Sequence, residues 1–164
     1  MVSPHHTLHL PADPAATERL GAWLGQHLRP GNVVGLVGEL GVGKTTLVRG
    51  MARGLGTLDP EAVCSPTYLL VIEHPGRVPL LHADAYLPAK LAGFLDDGGL
   101  EYLLDPAAVA VVEWAQRVAK HLPERTLWVE LSMSAEPGRS VRVRCQRAEH
   151  YPFLAELPKM WAAD

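Results

Sequence analysis

Apolar and polar positions follow three different periods along this chain. Val33-Val34-Gly35-Leu36-Val37, within Asn32 to Val37, is an unbroken apolar run, as expected of a strand buried on both faces. Val109-Ala110-Val111-Val112, ending on Glu113, is a second run of that kind. Thr126 to Met133 and Ser140 to Gln146 instead alternate apolar and polar residues around Glu136-Pro137-Gly138, which predicts a hairpin with one solvated face. Tyr68 to Ile72 and Val78 to Tyr86 read as two further strands, able to pair across the Pro75-Gly76 turn. Thr7 to Leu10 reads as a short strand. Helical spacing links Leu20, Trp23, Leu24 and His27-Leu28. Asp13 and Pro14 suit the start of that helix and Pro30-Gly31 its end. Thr45 to Leu55 reads as a second helix, ended by Gly54 and Gly56. Lys90 to Leu104 is helical or irregular and is interrupted at Asp97-Gly98-Gly99. Trp114 to Leu122 reads as a short helix, and Tyr151 to Trp161 as a terminal one. Together these elements predict an α/β fold: a central, largely parallel sheet flanked by helices, with antiparallel additions.

Composition narrows the function more than the fold. The 164 residues fit one domain spanning 1–164, and 48% apolar content supplies its core. A formal net charge of −3 argues against a protein whose main work is gripping a nucleic-acid backbone, since such domains are usually basic. The two cysteines, Cys64 and Cys145, form no CxxC pair and read as buried thiols of a reducing cytosol. No apolar run approaches the roughly 18 residues of a membrane span, and Met1 to Leu10, with three histidines, does not read as a signal peptide. His5-His6 resembles a metal site but is more ordinary as a solvated chain end. The expected location is cytoplasmic.

The sharpest signal is Gly38-Glu39-Leu40-Gly41-Val42-Gly43-Lys44-Thr45, a GxxxxGK[ST] phosphate loop lying between a buried strand and a helix. Its glycines let the backbone approach oxygen atoms, its successive N–H groups form an anion nest, and the helix start adds partial positive charge. Lys44 is placed to reach the β- and γ-phosphates, and the Thr45 hydroxyl to ligate Mg²⁺. The competing dinucleotide fingerprint GxGxxG fails, because Thr46 stands where its last glycine belongs.

Hydrolysis of a nucleoside triphosphate needs a second carboxylate near the metal and a group to place water. Asp84 and Glu113 each end an apolar run and are the candidates; their ordinary alternatives are a turn cap and a helix-start acid. Ser65-Pro66-Thr67 lies where many phosphate-loop proteins carry a loop that senses the γ-phosphate, or it is an ordinary Ser-Pro turn. Trp114 reads as core or as a stacking surface. Arg142 and Arg144 share a strand face, with Arg139 and Arg147 near. They read as a solvated edge, or more sharply as a partner- or RNA-binding patch.

Four motifs in order make the chain resemble the TsaE (YjeE) family. The family's G[DE]LGxGKTT stands as Gly38 to Thr46, its SPT[FY] as Ser65-Pro66-Thr67-Tyr68, its HxDxYR as His82 to Leu87, and its VEW as Val112-Glu113-Trp114. Leu87 replaces the family's arginine, and Ala85 the usual leucine. The resemblance covers roughly residues 7 to 133. It implies a P-loop NTPase-like, three-layer α/β/α fold and a Mg-dependent ATPase, weak alone. That enzyme would support threonylcarbamoyladenosine formation at position 37 of tRNA by acting on the TsaD–TsaB complex. Of the site, it implies ATP held by residues 41 to 46 with Glu39 and Leu40 in the same loop, and Thr67 and Trp114 beside it. Thr45 and Glu113 would hold Mg²⁺, and Asp84 would serve hydrolysis with Lys44. ATP follows from the resemblance; no guanine-reading NKxD is present. Two alternatives stand beside this: a small-molecule P-loop kinase, disfavoured because Gly93 to Pro106 lacks arginine, and a nucleotide-gated binding module with incidental hydrolysis.

Overall fold

Strand β2 (Val33–Val37) is the axis of the fold, because the glycine loop leaves its end. The computed structural model describes residues 4–161 apart from Leu69. Seven strands form one sheet in the order β1-β7-β6-β2-β5-β4-β3. The other six are β1 (His5–Leu10), β3 (Val71–His74), β4 (Leu80–Asp84), β5 (Val109–Glu113), β6 (Leu127–Met133) and β7 (Arg139–Arg144). The four central strands, β6-β2-β5-β4, run parallel. The antiparallel additions are β7 and β1 on one side and β3 on the other. Both expected hairpins form: β3 pairs with β4 and β6 with β7.

One face of the sheet is covered by α1 (Pro14–His27) and α2 (Lys44–Leu55), whose Leu20, Leu24, Leu47 and Met51 pack with Leu36, Val129 and Val141. The other face of β2, β5 and β4 is covered by α3 (Pro88–Phe94), α4 (Leu100–Leu103) and the 3₁₀ turns of Ala115–His121. Asp13 caps α1, its carboxylate accepting from the Ala15 N–H at 3.0 Å. Helices α1 and α2 touch backbone to backbone: a methyl group at Gly50 would overlap the Glu18 carbonyl, and one at Gly54 the Ala22 carbonyl. Gly54 is therefore a packing residue inside α2, and only Gly56, at φ +77°, ends that helix.

Several expectations need correction. Strand β3 starts at Val71 because the chain turns first: the Leu70 N–H donates to the Pro66 carbonyl at 2.9 Å, and Leu70 has φ +66°. Tyr68 lies in that turn and is exposed; Leu69, expected in the strand, lies outside the described residues. Trp114 does not begin a helix. Its φ of +56° is left-handed, and the 3₁₀ turns start one residue later. The terminal helix is two short pieces, Pro152–Glu156 and α5 (Leu157–Trp161), since Pro152 and Pro158 withhold backbone donors. Tyr151 is buried ahead of them. Its hydroxyl lies 2.7 Å from the Arg125 carbonyl and 3.1 Å from that of Val33, and burial pushes its pKa up to about 12. Cys145 is buried, but Cys64 is exposed. Strand β7 is no edge: it lies between β1 and β6. Among the described residues no helix is long and apolar enough to cross a membrane.

Candidate functional site

Register alone gathers the acidic candidates. Leu36 pairs with Glu113, and Glu113 with Asp84, so β2, β5 and β4 deliver two carboxylates to one row at their carboxyl ends. The glycine loop rises from the same end. Gly41 and Gly43 take φ of +77° and +114°, which side chains rarely adopt. Gly43 has no side chain to cap α2, so its cap position leaves the first-turn N–H groups of that helix without a side-chain acceptor of its own.

A cleft of about 230 Å³ opens there. Leu40, Gly41, Gly43, Lys44, Thr45 and Thr46 form one side; Ser65, Thr67, Asp84, Tyr86, Glu113 and Trp114 form the other. Glu39 and Val42 do not line it. Val42 is buried in the core, and Glu39 turns outward while its carbonyl accepts from Lys44 Nζ at 2.9 Å. Lys44 also donates to the Gly38 carbonyl at 2.5 Å and lies 4.3 Å from the centre of the Trp114 ring. Burial pulls the Lys44 pKa below its ordinary value, against the opposing charges of Glu113, Asp84 and Glu39.

Glu113 is buried and accepts from the Thr45 hydroxyl at 2.8 Å, tying the start of α2 to the end of β5. Burial alone would raise its pKa. Hydrogen bonds from His82 and Thr45, with the charges of His82 and Lys44, together outweigh burial and hold it below the ordinary value. Asp84, also buried, faces the Ser65–Thr67 loop: Ser65 Oγ donates to Oδ2 at 2.5 Å, and Thr67 Oγ1 lies 3.3 Å from the same oxygen. Its other oxygen accepts from the Tyr86 N–H at 2.7 Å, so Asp84 is a turn cap as well as a cleft residue. Trp114 is both core and cleft wall, only 7% exposed and packed edge-on to Tyr86.

This donor set suits a metal-bound polyphosphate. A hydroxyl and an ionised carboxylate are hard oxygen ligands of the kind Mg²⁺ takes. An ammonium and a nest of N–H groups suit phosphate oxygens. A roomier cleft of about 730 Å³ lies behind the loop against β6 and β7, but its lining lacks the lysine, the Thr45 hydroxyl and both carboxylates.

Four residues make contacts at or beside the site that the sequence does not specify. Ser65 bonds Asp84 more closely than Thr67 does. His82 bonds Glu113. Arg139, grouped with a solvated face, braces the loop through Nε to the Val42 carbonyl at 2.5 Å. Leu87 is half-buried at the start of α3, and a different residue brings a cation to that rim. Arg117 donates to the Tyr86 carbonyl at 2.5 Å and lies 4.5 Å from the centre of the Trp114 ring. The two motifs containing Ser65 and His82 are visible in the sequence; Arg139 is marked there only as part of an arginine-rich face, and nothing local marks Arg117. Arg144, by contrast, pairs with Glu130 at 2.7 Å.

Residues 11–141 match the family model of the threonylcarbamoyl adenosine biosynthesis protein TsaE. The chain belongs to the TsaE family. It is 41% identical to the tRNA threonylcarbamoyladenosine biosynthesis protein TsaE of Treponema pallidum, over 77% of this chain and 92% of that one. To the same-named protein of Bacillus subtilis it is 32% identical, over 79% of each. The crystal structure of Bacillus subtilis YdiB superposes with a TM-score of 0.77 over 98% of both chains at 24% identity, which shows that the fold is shared. The chain is thus a TsaE-family protein of tRNA threonylcarbamoyladenosine biosynthesis, with the expected P-loop-like fold.

Proposed function

We propose that this protein is a Mg-dependent ATPase, slow alone, that supports threonylcarbamoyladenosine formation at position 37 of tRNA by acting on the TsaD–TsaB complex in the cytoplasm. The observation that carries the reading is the Thr45–Glu113 bond beside Lys44, with Asp84 across the same cleft. Thr45 and Glu113 would hold Mg²⁺, and the N–H groups of residues 41 to 46 would cradle the phosphates. When bound, Mg²⁺ would neutralise charge on the β- and γ-phosphate oxygens. Lys44 turns its ammonium from loop carbonyls to phosphate and stabilises the charge that grows between the β and γ positions. Asp84, across the cleft from Lys44, would orient the attacking water by accepting a hydrogen bond from it. Trp114 and Tyr86 wall that side of the cleft.

Replacing Asp84 with Asn keeps the cap on Tyr86 and removes the charge. Equilibrium binding of ATP should stay near the parent value, while ADP formation falls by about 100-fold or more. Retained turnover in that variant sinks the assignment.

The Ser65 and Thr67 bonds to Asp84 also favour a gating role, because phosphate oxygens that accept from these hydroxyls in place of Asp84 would release this loop toward a partner. A hydrolysis-dead variant that supports tRNA modification through many rounds would favour such a module over an ATPase. A pull-down with TsaD and TsaB, with and without ATP, tests the partner directly.

A further inference from the structure

A histidine pair behind Glu113 has no part in the reading above. His82 is wholly buried in β4, on the same face as Asp84, and its Nε2 lies 3.2 Å from Glu113 Oε1. The Thr45 hydroxyl reaches that same oxygen at 2.8 Å. An ionised carboxylate only accepts, so Nε2 carries the hydrogen and donates. Both bonds thus fall on Oε1, and none is made to Oε2 among the described residues.

The other ring nitrogen tells against a packing role. His82 Nδ1 is buried without a hydrogen-bond partner among the described residues. The neighbouring ring, His74, is 6.2 Å away between centres and also buries an unpartnered nitrogen, Nε2. An apolar side chain of this size would fill the space without an orphaned polar atom. What the imidazole gains there is its bond to Glu113. The β4–β5 ladder fixes the geometry, pairing His82 with Val111 and Asp84 with Glu113, so neither side chain can approach the other differently without a register slip.

We propose that His82 is a positioning residue for the metal site: it pins Glu113 through Oε1 together with Thr45, leaving Oε2 uncommitted for Mg²⁺. This rests on the reading of Glu113 as a metal ligand. Outer partners that orient a ligand in this way typically change metal affinity by about 10- to 100-fold when removed.

The test is the gain in affinity that Mg²⁺ gives to a non-hydrolysable ATP analogue. It is measured by calorimetry as the ratio of Kd in EDTA to Kd in Mg²⁺, with melting temperature as the check on folding. His82→Phe keeps the ring and lacks the donor; the ratio should fall about tenfold or more, with the EDTA value unchanged. His82→Gln places an N–H₂ near the Nε2 position and should stay within about threefold of the parent, whereas His82→Asn is too short and should behave like Phe. A parent-like ratio in His82→Phe overturns the proposal; if that variant fails to fold, a parent-like ratio in His82→Asn does so. Equal loss with and without Mg²⁺, or no rescue by Gln, also overturns it by indicating a packing role. Glu113→Gln separates the two layers: a ratio unchanged there removes the metal-ligand reading itself, and this inference with it.

Discussion

Lys44→Ala should weaken nucleotide binding by about 10- to 100-fold, and the free protein explains why the loss is no larger. The ammonium has three donors. Two are occupied by the carbonyls of Gly38 and Glu39, at 2.5 and 2.9 Å, and the third is left for the cleft. Binding a polyphosphate therefore adds about one charge-assisted hydrogen bond, worth roughly 1.5–3 kcal/mol, while bonds to carbonyls are exchanged rather than gained. At about 1.4 kcal/mol per factor of ten, that is one to two decades in Kd. A further effect has the same sign. Burial disfavours the ammonium, with Glu113, Asp84 and Glu39 opposing it, and an incoming polyanion would offset that penalty. The measurement is isothermal titration of the variant with an uncleaved ATP analogue in Mg²⁺, beside a far-ultraviolet circular dichroism spectrum. A folded variant that binds within about threefold of the parent would refute the argument, because the free energy assigned to Lys44 would then lie below the range for such bonds.

Arg139→Ala removes the guanidinium from the Val42 carbonyl and should cost about tenfold in nucleotide affinity by loosening the loop, read by the same titration; a parent-like Kd would mean that β7 does not brace the loop. Gly50→Ala pushes a methyl into the Glu18 carbonyl and should destabilise the fold by about 1–3 kcal/mol in urea unfolding, with unchanged m-value. Acid should destabilise the protein in two stages. Burial, then the neighbouring His82, pull the His74 pKa below 6.5, so the folded state prefers the neutral ring. That contribution is full above pH 6.5 and is lost as pH falls below it. Glu113 is held below 4.5, so its contribution persists to lower pH and is lost only beneath that value. Melting temperature against pH should show both stages in the parent, and His74→Gln should remove the first alone.

How much of this was written locally is clearest strand by strand. The apolar runs of β2 and β5 were legible because a strand covered on both faces leaves no polar position to confuse the period. The hairpin of β6 and β7 was legible because one face alternates. The opening of β3 was misread, since Tyr68 has strand propensity but the Pro66 carbonyl and the left-handed Leu70 turn the chain there. The C-terminal stretch is broken into two short pieces rather than one helix, because Pro152 and Pro158 withhold backbone donors.

For the candidate site, the sequence by itself determined the chemistry on offer. A glycine loop, a lysine and a hydroxyl at fixed spacing form one continuous segment, so their residue types and spacing can be read without any distant partner. Two carboxylates at strand ends were visible as well. Which atoms meet was decided by tertiary structure alone. The register of β4, β5 and β2 puts Asp84 and Glu113 in one row, 29 residues apart in number yet adjacent in space. Thr45 finds Glu113 across 68 residues, and Arg139 finds Val42 across 97. Such contacts depend on strand order and on how closely α1 lets α2 approach the sheet, and no local period encodes either. His82 shows the division best: its place in a motif is plain in the sequence, but its partner is set by the parallel pairing of β4 with β5.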